Sequence, residues 1–212
     1  MSPRTRTISD AKILAATARM ISCVGPTRLT LADVGAEVGL APATLLQRFG
    51  SKRGLLIALV EQGVASVDRC FVDVRTASSS ALTAVIKAAS DLAEHVRTPE
   101  ELANNLAFFQ IDLSDSDFHG LALEYSRRVR AGYERLLDDA IAAGELVACD
   151  TAALASAVQA VAAGSLLNWA IHRDGTVGAW VRADLATLLA PYRRLRLDDR
   201  VGLAHGQRID DH

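Results

Sequence analysis

Apolar residues recur every three to four positions along almost the whole chain, the spacing that puts them on one face of an α-helix. In the first run Ile13, Leu14, Thr17, Met20, Ile21 and Val24 share a face behind Ser9 or Asp10, and Gly25-Pro26 closes it. Thr30 caps a short helix through Val38, which Gly39 breaks, and a second short helix spans about Pro42 to Phe49. Ser51 opens a long helix with Leu55, Leu56, Leu59, Val60, Val67, Phe71 and Val74 inward, and the serine run 78–80 is the clearest linker. At least five helices follow. They cover about Ala81–Val96, a segment opening at Thr98-Pro99-Glu100-Glu101, Ser116–Ala143, Thr151–Arg173 and Val177–Leu195. The Thr98 start is a capping box with proline at the first helical position. No strand alternation of useful length and no internal repeat appears. The pattern predicts an all-α fold, a small N-terminal bundle on a larger helical body, and a polar tail from Asp198 to His212.

Half of the 212 residues are apolar and 23 % are charged, enough to build a packed core and too apolar for disorder throughout. The net charge of −2 hides an asymmetry. Residues 1–60 carry eight basic side chains against three acidic ones, a local charge of +5, and the remainder carries 15 against 22, or −7. A basic end on an acidic body is an electrostatic footprint for a polyanion at that end.

Thr151–Ile171 is 21 residues without a charge, long enough to cross a bilayer. It is rich in alanine (8 of 21) and carries Ser156, Gln159, Ser165 and Asn168, so it reads as a buried helix and no membrane partner is expected. Cys23, Cys70 and Cys149 cannot form a paired framework and read as core thiols in a reducing cytoplasm. The N-terminal ten residues have no apolar signal core.

The most informative stretch is Leu31 to Phe49. Two short helices meet at Gly39, which suits a left-handed turn, and Gly35 leaves room for the second helix to approach. Val34, Val38, Leu40 and Leu45 supply apolar pins. These offsets read as a helix-turn-helix, with an ordinary helical hairpin as the alternative. The second helix then exposes Pro42, Ala43, Thr44, Gln47 and Arg48 to a major groove. There glutamine addresses base edges, and alanine or proline touches a thymine methyl.

The run from Thr30 to Leu59 resembles the DNA-binding domain of TetR-type transcriptional repressors. The matching elements are Leu29-Thr30, Asp33-Val34-Gly35, Gly39-Leu40, Thr44-Leu45, Phe49, Ser51-Lys52 and Leu55-Leu56. A weaker match covers Gly164–Leu167, Trp169-Ala170, His172–Gly175 and Leu188–Tyr192. The resemblance implies a helix-turn-helix domain at 1–52, a helical ligand-binding and dimerisation domain at 53–197, and a tail at 198–212. It implies a homodimer on a palindromic double-stranded operator, released by a small-molecule effector, with no catalytic activity, metal or cofactor. It further implies phosphate contacts by Thr30, Thr44 and Lys52 at three helix starts. One departure stands out: the family usually places tyrosine after Thr-Leu, and this chain has Leu46, a loss that Arg48 could offset.

Elsewhere no Glu-x-x-His pair and no recognisable catalytic grouping occurs. Asp115, Asp117 and His119 read as a polar helix start rather than a metal site. Asn104, Asn105, Gln110, Tyr125, Gln159 and Asn168 are polar residues on apolar helices, suited either to interhelical hydrogen bonds or to a cavity beside Phe71, Phe108, Phe109 and Trp169. From these, Phe71, Phe109, Tyr125, Gln159 and Asn168 are the expected effector contacts, in a largely aliphatic cavity of moderate size. Val158, Val161, Ala162, Leu166, Leu185 and Leu188 form the expected dimer stripe. The segment from Ser51 to Arg75, about 37 Å long as a helix, is the expected lever between the two halves. A helical-bundle enzyme or carrier, and an interaction adaptor, are the competing readings.

Overall fold

The computed structural model describes residues 8–194. The expected tail and the predicted helix end at Leu195 lie outside them. The described residues fold into α1 (Asp10–Arg28), α2 (Leu31–Val38), α3 (Pro42–Phe49), α4 (Lys52–Ala77), α5 (Ala81–Ala93), α6 (Pro99–Ser114), α7 (Ser116–Ala142), α8 (Thr151–His172) and α9 (Val177–Leu189). Among these residues the only β feature is an isolated bridge between Leu146 and Arg193.

Local chemistry sets the helix starts. Ser51, Ser80, Thr98, Asp115, Asp150 and Thr176 each accept a backbone N–H of their own first turn. At Thr98 the hydroxyl accepts from Glu101, but the Glu101 carboxylate reaches back to the N–H of Arg97 at 2.7 Å rather than that of Thr98. α5 stops at Ala93, short of the expected Val96, because the chain turns there and buries Val96 ahead of the Thr98-Pro99 start. α9 stops at Leu189 and tightens into one 3-10 turn, Ala190–Tyr192, because Pro191 has no N–H with which to continue the helix.

Two apolar clusters form. The N-terminal one gathers Ile13, Leu14, Ile21, Leu29, Val34, Leu45, Leu55 and Leu56, and takes Phe118 from α7. The larger one fills the body between α4, α5, α7, α8 and α9. α4 belongs to both. Its second half is held to α7 by the ring of Phe71, which meets Tyr133 edge-on at 5.1 Å between centroids. A Cβ on Gly132 would lie 2.5 Å from the Phe71 ring, so only glycine admits this approach. Asp68 accepts from both Arg128 (3.1 Å) and Arg135 (2.9 Å) across the same seam.

Three expectations are corrected here. Val158 and Leu185 are fully buried inside the body and so drop out of the expected dimer stripe, while Val161, Ala162, Leu166 and Leu188 pack against the same core and stay only half-buried. α8 is apolar on every side, and no polar face marks which side turns inward. α8 is also not the buried helix it was read as: of its most apolar 18-residue window only 28 % is buried, with Leu167 47 % and Ile171 77 % exposed. It is the one described helix long and apolar enough to cross a membrane. Finally, Cys23 on α1 and Cys70 on α4 are exposed, and Cys149, in the loop between α7 and α8, is only partly buried.

Candidate nucleic-acid interface

α2 and α3 meet at the turn the glycines require. Gly39 has φ +71°, a left-handed backbone that L side chains avoid. A Cβ on Gly35 would sit 2.5 Å from the carbonyl oxygen of Leu40, so α3 can start this close only against glycine. Val34 and Leu45 are buried, and Val38 and Leu40 pack against them. With one side of α3 pinned by Leu45, Pro42, Ala43, Leu46, Gln47 and Arg48 face outward. Leu46 is 52 % exposed, a large apolar side chain on the outer face of a short helix.

The expected contact residues are differently employed. Thr44 is half-buried, and its hydroxyl has no hydrogen-bond partner among the described residues. The Thr30 hydroxyl is already engaged: it donates to the Asp33 carboxylate at 2.6 Å and accepts from the Asp33 N–H at 3.2 Å in a full capping box. The one proton of this hydroxyl is thus held by Asp33 in this structure. What the start of α2 offers an anion is the N–H groups of Leu31 and Ala32, which the first helical turn leaves unpaired. The Lys52 ammonium rests on the Thr27 carbonyl at 3.2 Å. Arg48 is exposed, but its guanidinium turns back to α1, donating to the Ile8 carbonyl at 2.7 Å and pairing with Asp10 at 3.3 Å. Gln47 has no side-chain partner among the described residues and is free at the surface.

Besides the packing of Phe118, two sets of polar contacts tie this unit to the body. Arg53, at the start of α4, donates to Asp115 at 2.9 and 3.0 Å and to Asp117 at 2.8 Å. Its guanidinium lies 5.5 Å over the Phe118 ring. The Asp117 and Asp115 bonds push the Arg53 pKa further up, and the Arg53 bond holds Asp115 below the usual carboxylate range. The expected polar helix start at Asp115 is thus also the anchor for α4. The second contact is between α1 and α6, where the Asn104 amide donates to the Ser22 carbonyl at 2.8 Å. The Ser22 hydroxyl donates to Asn105 at 3.2 Å.

A cavity of about 450 Å³ opens between α4, α5 and α7. Phe71 and Tyr125 line it, as the sequence led one to expect. Burial pushes the Tyr125 pKa up. The other three expected contacts lie elsewhere. Phe109 is 50 % exposed on the outside of α6, Asn168 is exposed on α8, and Gln159 donates to the Ser126 hydroxyl between α8 and α7 at 3.1 Å. Their helices are amphipathic only weakly, so the sequence alone did not tell a cavity wall from an outer face. Cys70, Asp73, Asp91 and His95 line the cavity and were not foreseen. The signal available was sequence proximity: Cys70 and Asp73 lie within two residues of Phe71 on α4, Asp91 sits on α5, and His95 follows two residues after its end. Among the described residues no three histidine, cysteine or carboxylate groups gather as a metal site.

Residues 13–59 match the family model for bacterial regulatory proteins of the tetR family. No curated protein matches the chain in sequence. Among solved structures, a TetR transcription regulator from Haloarcula marismortui shares 15 % identity at a TM-score of 0.71, over 87 % of this chain and 98 % of that one. The TetR transcriptional regulator SCO0520 from Streptomyces coelicolor shares 22 % at 0.67, over 89 % and 100 %. SmeT, the repressor of the Stenotrophomonas maltophilia multidrug efflux pump SmeDEF, shares 19 % at 0.64, over 89 % and 92 %. The turn glycines, the pinned α2–α3 pair and the family match agree over residues 13–59, which match the tetR-type helix-turn-helix domain, and the chain as a whole has the fold of the TetR regulator structures it resembles.

Proposed function

We propose that the chain is a ligand-responsive repressor that binds a palindromic operator as a homodimer and lets go when a small molecule enters the α4 cavity. The observation that carries this reading is that one unbroken helix serves both ends. α4 starts at Lys52, beside the α2–α3 unit, and runs 26 residues, about 39 Å, into the body. Gly63, Ser66, Val67, Cys70, Phe71, Asp73 and Val74 of the same helix form one wall of the cavity. A guest that spreads α4 from α5 or α7 tilts the far end and moves Lys52 and α3.

Two α3 helices read successive major grooves only when held about 34–36 Å apart. Binding therefore needs a fixed dimer, and the uncovered apolar side of α8 with the outer side of α9 is the face offered for it. Ala160, Ala163, Leu167 and Ile171 on α8 and Ala179, Ala183 and Ala186 on α9 are exposed at helical spacing. Small side chains let helices approach closely, and an interface of this kind typically buries about 2,000 Å² or more. In the DNA complex Gln47 addresses a base edge, Pro42, Ala43 and Leu46 meet thymine methyls, and Arg48 leaves Asp10 for the DNA. Lys52, Thr44 and the N–H groups at the start of α2 hold phosphates. In this reading the chain regulates rather than catalyses, and acts in the cytoplasm where its DNA lies.

The experiment is a pair of titrations. DNA is first selected from a random pool on the purified protein, and a compound found by thermal-shift screening is then titrated with and without that DNA. Reciprocal coupling requires the DNA to weaken the compound by the same factor that the compound weakens the DNA, about 5–150-fold. Equal affinity for the compound in both titrations would remove the switch and leave a DNA-binding protein.

A further inference from the structure

The α4 cavity has a chemical bias. Val67, Val74, Ala88 and Leu92 make it apolar, and Phe71 and Tyr125 add aromatic rings. Its charged lining groups are the carboxylates Asp73 on α4 and Asp91 on α5. No lysine or arginine lines it among the described residues, and His95 is the one lining side chain able to take a positive charge, by protonation. The basic partners of the two carboxylates stand one helical turn back, outside the lining. Arg69 is 3.6 Å from Asp73 and Lys87 is 2.8 Å from Asp91, both in exposed i,i+4 pairs. Such pairs hold weakly and open readily.

An anionic guest would meet two carboxylates whose basic partners, Arg69 and Lys87, stand outside the lining. A neutral guest would gain only the apolar walls. A cation with an apolar body gains the walls, the carboxylates and the negative faces of the aromatic rings together. The Phe71 ring is pre-set for this by Gly132 and Tyr133, so it loses no freedom on binding. The Tyr125 hydroxyl has no hydrogen-bond partner among the described residues and is free to turn its lone pair toward a charged guest.

We infer that the cavity takes a hydrophobic organic cation, an amine or quaternary ammonium ion bearing an aryl or alkyl group. This names the effector class for the ligand-responsive reading and rests on it for its regulatory meaning. The test uses the full chain at pH 8 and three probes of similar shape: benzyltrimethylammonium, its uncharged carbon counterpart neopentylbenzene, and the anion phenylacetate. Binding is measured by calorimetry, and release by displacement of the selected DNA. The cation should bind about tenfold or more tighter than neopentylbenzene, with phenylacetate weakest. Asp73→Asn with Asp91→Asn should remove that preference and leave neopentylbenzene unchanged. Both sites are at the surface, and an unchanged circular dichroism melt confirms the fold. If neopentylbenzene or phenylacetate binds as tightly as the cation, or none of the three binds up to millimolar concentration, the cation assignment is overturned. Release of DNA by the neutral or anionic probe would overturn it while the ligand-responsive reading stands. Cation binding that leaves DNA affinity untouched would keep the assignment and overturn that reading.

Discussion

Asn104 completes a hydrogen bond that Ser22 cannot make within its own helix. α1 breaks at Gly25, φ +79° and ψ 159°, and Pro26 has no N–H to return to the Ser22 carbonyl. The Asn104 amide fills the place at 2.8 Å from α6. The fit is close: a Cβ on Gly25 would lie 2.8 Å from the Asn104 side-chain oxygen. The break in the DNA-binding unit is thus built to receive a side chain from the body.

Asn104→Ala should therefore cost about 1–3 kcal/mol, the penalty for leaving a shielded carbonyl without a donor. Urea unfolding followed by circular dichroism reads this directly. A change below about 0.3 kcal/mol would mean that water takes over the bond.

Lys52→Ala should weaken DNA equally on all sequences and shallow the salt dependence by about one unit of slope. Gln47→Ala should instead relax choice at one base pair, at a cost of about 1–3 kcal/mol on the preferred site. Fluorescence anisotropy on the selected site and on single-base variants separates the two. A Lys52→Ala protein with altered base preference and an intact salt slope contradicts the assigned roles.

Leu167→Arg and Ile171→Arg place a charge on the exposed side of α8 and should yield folded monomers by sedimentation velocity. Leu185→Arg puts the same charge at a fully buried position and should unfold the chain instead. Dimers that persist in both α8 variants would move the interface elsewhere.

Asp112, half-buried on α6, has its pKa pushed up to about 6 by desolvation alone. Its Oδ1 is shielded from solvent and has no hydrogen-bond partner among the described residues. A carboxylate whose folded pKa lies above its unfolded value near 3.8 leaves the folded state stabler at low pH. Its contribution falls as pH rises from about 4 to about 6 and levels off above that. Asp112→Asn should accordingly match the parent at pH 4 and melt higher at pH 7. Parallel melting curves at both values for the two proteins check it.

Much of this molecule is legible in its sequence because the relevant signals are local. Thr30, Ser51, Thr98 and Asp115 start helices because a side-chain oxygen reaches an N–H two or three residues on, which needs no distant partner. Gly35 and Gly39 mark the α2–α3 turn because the backbone there excludes a Cβ or needs positive φ. The charge split between the first 60 residues and the rest is likewise countable. The tertiary structure alone decided which side of an all-apolar helix faces inward, and so placed Val158 and Leu185 in the core and left Leu167 and Ile171 uncovered. It decided that Phe71 and Tyr125 share a cavity while Phe109 faces out, since residues 54 positions apart meet only through the packing of α4 on α7. It also gave the Thr30 hydroxyl and the Arg48 guanidinium their intramolecular partners. Periodicity reports that a helix has a face; which neighbour covers that face is a property of distant segments, and no local spacing encodes it.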